Sequence, residues 1–166
     1  MTIPLRGSTG HSTYFITSQT WGRKRLLQSE RMASLLIEVL QQGRTEHKYL
    51  LHEFVVMPDH FHLLITPWET LERAMQLIKG RLAFRAHKEF GVPPPIWQKS
   101  FFDRRVRDAA EYERYRMYIH ENPVKKQLAE SAEGFASSSA GRPELVDAVP
   151  QRLKPEDILG ALKMYR

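Results

Sequence analysis

Val55-Val-Met-Pro58-Asp59-His60-Phe61-His62-Leu-Leu-Ile-Thr66 is an apolar run that breaks at a Pro-Asp pair and resumes behind two histidines. Short runs of β-branched and other apolar residues read as strands, and Pro58-Asp59 is a tight turn that folds the second run back along the first. Residues 48–57 and 60–67 are therefore expected to form an antiparallel pair. Side chains alternate faces along a strand, so His60 and His62 point one way and Phe61 the other. Two imidazoles on one face of a rigid sheet can converge on one metal ion. They would equally suit the wet face of a half-buried strand, so the pair takes its meaning from the rest of the chain.

Working outward, Thr13-Tyr-Phe-Ile-Thr-Ser-Gln-Thr20 has the composition of a first strand. Residues 28–42 place Met32, Leu35, Leu36, Val39 and Leu40 at helical spacing, with Gly43 expected to close the helix. A second helix spans 69–90, with Leu71, Met75, Ile78 and Leu82 on one stripe. Gly91-Val-Pro-Pro-Pro95 is a stop and a stiff connector. A fourth strand is expected within 96–106, through Phe101-Phe102, and Asp108 caps a third helix reaching about Asn122. The order β-α-β-β-α-β predicts an α+β, ferredoxin-like split βαβ fold, an antiparallel sheet with two helices on one face. The other face is left for the third helix or a ligand. Residues 1–11 are expected to be mobile, 12–130 to be the main domain, and 131–166 a loop and C-terminal extension. Pro155 would open a short helix in that extension.

Composition narrows the classes. The chain has 166 residues, enough for one domain with a real core, and 42% hydrophobic residues exclude wholesale disorder. Cysteine is absent, which removes disulfides, thiolate zinc sites and cysteine nucleophiles and fits a reducing cytoplasm. No signal peptide opens the chain and no apolar run has the length of a membrane span, so a soluble cytoplasmic protein is expected. Net charge is +6, and residues 73–107 carry nine Lys/Arg against two acids. Such clustering is the footprint of a polyanion, phosphates above all. Lys79, Arg81, Arg85, Arg104, Arg105 and Arg107 are the candidate phosphate contacts, and Trp97 is a candidate platform for unpaired bases.

The third helix carries Tyr112, Tyr115, Tyr118 and then Asn122. Tyr118 and Asn122 share a face about 6 Å apart along the axis, while Tyr115 lies roughly 10 Å from Asn122. Pro123 is expected to push Asn122 out of helical geometry. A metal held by two imidazoles and an amide oxygen would keep positions open for phosphate oxygens. A tyrosine beside it could attack phosphorus, and a phenol leaves again more readily than a sugar hydroxyl.

The run His52-Glu-Phe-Val-Val-Met-Pro-Asp-His-Phe-His-Leu-Leu-Ile65, the segments Met75-Gln-Leu-Ile-Lys-Gly80 and Ile96-Trp-Gln98, and Tyr118-Ile-His-Glu-Asn-Pro-Val-Lys125 resemble the REP-associated tyrosine transposases. These are relatives of the HUH single-tyrosine transposases, and the likeness runs in order over about residues 12–140. The resemblance implies a ferredoxin-like catalytic domain acting on single-stranded DNA folded into imperfect palindromic hairpins. It implies cleavage with Mg2+ or Mn2+ that leaves a 5′-phosphotyrosine and a free 3′-hydroxyl. By position, His60 and His62 would be the metal pair, Asn122 the third ligand and Tyr118 the nucleophile. The wider relatives often have glutamine where Asn122 stands. Relatives include monomers and homodimers that share an active site, so oligomeric state stays open, as do two other readings. One is a hairpin-binding protein without catalysis; the other is a metal-dependent phosphodiesterase that uses water, with Tyr118 a bystander.

Overall fold

The computed structural model describes residues 11–154. The expected helix after Pro155, and the N-terminal segment up to residue 10, lie outside the described residues. Seven main elements follow in the order β1 (Tyr14–Gln19), α1 (Glu30–Thr45), β2 (Tyr49–Met57), β3 (His60–Pro67), α2 (Leu71–Phe90), β4 (Phe102–Arg105) and α3 (Ala109–Lys125). The strands form one antiparallel sheet in the order β2-β3-β1-β4. This is the split βαβ arrangement, and it follows from strands that alternate with helices long enough to cross over the sheet.

Alternation along each strand builds two cores. Ile16, Leu51, Phe54, Phe61, Leu63 and Ile65 point to the side covered by α1 and α2, where Leu36, Leu40, Met75, Ile78 and Leu82 meet them. Phe15, Val55, Met57 and Leu64 point to the other side, where Tyr112 and Ile119 of α3 close over them with Val106 and Leu153. The helices begin where the sequence says they should. The side chains of Ser29, Thr70 and Asp108 accept hydrogen bonds from the backbone N–H three residues on, satisfying donors that a helix start leaves unpaired. Gly91 ends α2 at φ 69°, a conformation that suits glycine. Among the described residues no helix is long and apolar enough to cross a membrane.

Four expectations need correction. Gly43 does not close α1, which runs on to Thr45; the Tyr49 ring packs where a side chain at 43 would stand, and its hydroxyl donates to the Leu40 carbonyl at 2.7 Å. The glycine is needed for close approach, not for a stop. The fourth strand is only Phe102–Arg105: near residue 97 the chain makes just an isolated antiparallel bridge, Trp97 with Thr20, and Gln98 N donates to the Gln19 carbonyl, while the Ile96 and Trp97 side chains enter the core. Pro123 does not end α3. It forfeits one helical hydrogen bond near the last turn, while buried Ile119 and Asn122 anchor the helix through to Lys125.

Trp97 is the fourth correction. It is 8% exposed, its ring edge meets Phe61 at 5.3 Å between centroids, and its indole N–H donates to the Lys79 carbonyl at 3.0 Å. A ring held this way offers no face to a nucleic-acid base.

The serine-rich stretch is a loop, as expected, but it is tied to the sheet. Ser139 N donates to Phe54 O and Val56 N to Ser137 O, so residues 137–139 run along the free edge of β2. Covering an edge strand protects it from pairing with another chain. The Ser139 hydroxyl and His120 Nε2 both bond Glu53 Oε1, at 2.6 and 2.5 Å, which also ties α3 to β2.

Candidate functional site

The turn at Pro58-Asp59 is fixed by the segment that follows β1. The Asp59 carbonyl accepts from the backbone N–H of Thr20, and the Pro58 carbonyl from that of Leu27. The Asp59 carboxylate is divided: Oδ1 meets His60 Nδ1 at 2.7 Å and Oδ2 accepts from Arg23 Nε at 3.0 Å. Burial alone would raise the Asp59 pKa, but His60 and Arg23 outweigh it and hold the carboxyl below its ordinary value. With its Nδ1–H given to Asp59, His60 keeps its lone pair on Nε2.

His62 lies one pleat further on, 3% exposed, with its ring centroid 4.8 Å from that of His60. Its Nδ1 is 2.8 Å from Thr17 Oγ1 on the neighbouring strand, and its Nε2 is buried with no hydrogen-bond partner. Burial, and then the neighbouring His60, push its pKa down from 6.5 to about 3. The imidazole is neutral, the form that binds a cation.

Asn122 comes to the same place from α3. It is 5% exposed, and its Oδ1 is likewise buried without a hydrogen-bond partner. An unpaired amide oxygen and an unpaired imidazole nitrogen are each costly to bury. Both residues line one cavity of about 610 Å³ with His60, Tyr118, Thr17, Gln19, Arg23, Arg25 and Lys126. A neutral N,N,O donor set of this kind suits a divalent cation.

Tyr118 is 46% exposed and stands with its ring centroid 5.2 Å from that of His62. The other tyrosines of α3 are otherwise engaged. Tyr115 stacks flat on Phe15, 4.4 Å between centroids, and Tyr112 is buried, with desolvation raising its phenol pKa well above the usual value. Of these three tyrosines, Tyr118 is the one that lines the cavity with His60, His62 and Asn122. Four of the expected site residues, His60, His62, Asn122 and Tyr118, are brought together.

The sequence profile of the family described as "Transposase IS200 like" matches residues 9–122. The chain belongs to the IS200-like transposase family. The matched span takes in all four clustered residues. A REP-associated tyrosine transposase of Haemophilus influenzae is 23% identical over 165 residues, covering 88% of this chain and 89% of that one. A solved REP-associated tyrosine transposase bound to a REP hairpin superimposes with a TM-score of 0.64 at 23% identity, covering 86% of this chain and 85% of the other. A transposase structure from Deinococcus radiodurans gives a TM-score of 0.53 at 23% identity, over 75% and 96% of the two chains. At these identities the superpositions establish the shared fold.

For this IS200-like transposase the expected phosphate contacts separate into two groups. Arg81 is paired with Glu46, Arg85 with Glu38 and Glu89, and Arg107 with Glu111. Lys79 donates to the Gln98 carbonyl, and burial lowers its pKa. These four side chains each have a polar partner within the fold. Arg104 and Arg105 are exposed and meet no carboxylate among the described residues. Sequence reading noted Arg23 and Arg25 only as a second basic spot and Asp59 only as a turn residue; it did not find Thr17, Gln19 or Lys126, which reach the cavity through strand register and loop closure and carry no motif of their own. A larger cavity of about 1060 Å³ lies at the far end of the β2–β3 pair, around Leu50, Trp68 and Arg73. Of the expected site residues it touches only Arg81.

The buried histidines set a pH dependence. An unfolded His62 takes up a proton near 6.5, whereas the folded one stays neutral to about pH 3. The unfolded state therefore binds more protons across that window, and stability present above pH 6.5 is lost as pH falls toward 3. Buried His52 is shifted in the same direction by desolvation. Urea midpoints are expected to fall between pH 6.5 and 4, with at most about 3 kcal/mol of the loss assignable to His62. The fall should be shallower in His62→Gln; an equal slope in both proteins would contradict the assignment.

Proposed function

We propose that this protein cleaves and rejoins single-stranded, hairpin-forming DNA, with Tyr118 as the nucleophile. The observation that carries the reading is the meeting of Tyr118 with two buried, unpartnered donor atoms, His62 Nε2 and Asn122 Oδ1, in one cavity. A divalent cation, Mg2+ or Mn2+, held by His60, His62 and Asn122, would supply Lewis-acid polarisation of the scissile phosphate. The Tyr118 oxygen attacks phosphorus and loses its proton; the 3′-oxygen leaves and takes one up. The bond energy stays in a 5′-phosphotyrosine, from which another 3′-hydroxyl can displace the phenol. Arg23, Arg25 and Lys126 at the cavity rim favour the negatively charged strand. His62 is oriented by Thr17 and His60 by Asp59, so neither imidazole has to be reorganised when substrate arrives.

Hairpin DNA as substrate is supported by the structural relative bound to a REP hairpin. All four side chains meet within one chain, which supports a site that needs no residue from a second subunit. The test is a denaturing gel of the protein with a hairpin-bearing single strand and Mg2+ or Mn2+. A DNA-linked protein band is expected. Chelation is expected to abolish that band while weakening hairpin binding no more than about twofold, since basic residues carry most of the affinity. Free cleaved ends with no adduct would instead establish hydrolysis by water.

A further inference from the structure

We propose that Phe102, with Arg104 above its ring, is the stacking shelf for an unpaired base beside the scissile phosphate. The inference rests on the DNA-cleaving reading above and gives it a residue for holding single-stranded DNA. Among the described residues β4 pairs only with β1, and its four residues are all exposed. Alternation puts Phe102 and Arg104 on one face of the sheet and Asp103 and Arg105 on the other.

The register identifies the face. Phe102 stands opposite Thr17, and Thr17 opposite His62; Arg104 stands opposite Phe15. Residues directly opposite in an antiparallel pair share a face. Phe102 and Arg104 therefore look out on the same side as the two histidines. Two strand spacings, about 10 Å, separate Phe102 from His62, and Thr17 is the one residue between them in that row. The third helix packs over β2 and β3, and its Tyr115 and Tyr118 rings meet Phe15 on β1. Thr17 lines the histidine cavity, and exposed Phe102 follows it in the same row toward the sheet edge.

Among the described residues Phe102 belongs to neither core. Its neighbour Phe101 packs against the main core, whereas Phe102 is 51% exposed. The Arg104 guanidinium lies 5.6 Å from the ring centroid and, unlike Arg81, Arg85 and Arg107, pairs with no acid among the described residues. An open aromatic face beside an uncommitted cation is what an unpaired nucleotide uses, the base on the ring and the phosphate on the guanidinium.

The test is fluorescence anisotropy on a hairpin carrying a single-stranded extension, in a Tyr118→Phe background so that no cleavage intervenes. Phe102→Ala is expected to weaken binding about tenfold. Phe102→Trp should restore it, and a blunt hairpin should bind both proteins equally. Abasic sites walked along the extension should reveal one position, next to the cleavage point, that costs the Phe102 protein about tenfold and costs Phe102→Ala nothing further. Equal loss on blunt and extended hairpins, or abasic penalties that simply add to the Phe102→Ala loss, would overturn the proposal. So would sedimentation showing a dimer that Phe102→Ala dissociates, which assigns the ring to a subunit contact. Failure of the Phe102 protein to bind any hairpin would bring down the DNA-cleaving reading itself, and this inference with it.

Discussion

Tyr118→Phe is expected to lower the rate of DNA cleavage by at least about a thousandfold and to leave no covalent adduct, while Tyr115→Phe keeps the adduct. The contrast follows from two rings one helical turn apart with different surroundings. The Tyr118 ring opens on the cavity that holds His60, His62 and Asn122. The Tyr115 ring lies against Phe15 and contributes to the smaller core. Removing one oxygen from Tyr118 deletes the attacking atom and little packing, so folding and hairpin binding should stay within about twofold of the unmodified protein. Quantifying adduct and free product together on a denaturing gel separates the outcomes. Cleavage that persists in Tyr118→Phe would falsify the nucleophile assignment, and adduct lost only in Tyr115→Phe would move it by one turn.

Trp97→Ala carries the largest expected loss of stability. Truncating a buried aromatic of this size costs about 3–5 kcal/mol, and the indole N–H bond to Lys79 goes with it. Urea denaturation should show the loss directly. Hairpin affinity of the remaining folded protein should be unchanged, because the ring presents no face to solvent. A base-stacking role would give the opposite pair of results, normal stability with weakened binding. Phe102→Ala is the useful companion, since an exposed ring at a sheet edge should cost little stability when removed.

The contrast between Trp97 and Phe102 shows what could be read from the chain and what could not. Period-two and helical spacings give the strands, the helices and the split βαβ order, because those patterns record burial on one face. The motifs around His60-Phe61-His62 and Tyr118 to Asn122 also carry the site, since strand and helix geometry decide which side chains share a face. Composition does not say which exposed-looking cation meets a carboxylate from another element. Arg81 on α2 finds Glu46 at the C-cap of α1, and Arg85 finds Glu38 in the middle of that helix, so part of the basic stretch is paired within the fold. Nor does local sequence say which aromatic turns inward. Trp97 and Phe102 are five residues apart, and only closure of the chain onto β1 separates a core ring from an open one. Thr17 belongs to the same class: its hydroxyl beside His62 Nδ1 follows from β1–β3 register, which no local motif encodes.

The most direct measurement is mass spectrometry of the peptide that carries DNA after reaction with a hairpin substrate and Mg2+ or Mn2+. The expected product is a single phosphodiester-linked peptide from α3 with the 5′-phosphate on Tyr118, absent when the metal is chelated. A linkage at Tyr115 or at any residue outside that helix, or hairpin cleavage with no linked peptide, would contradict the account.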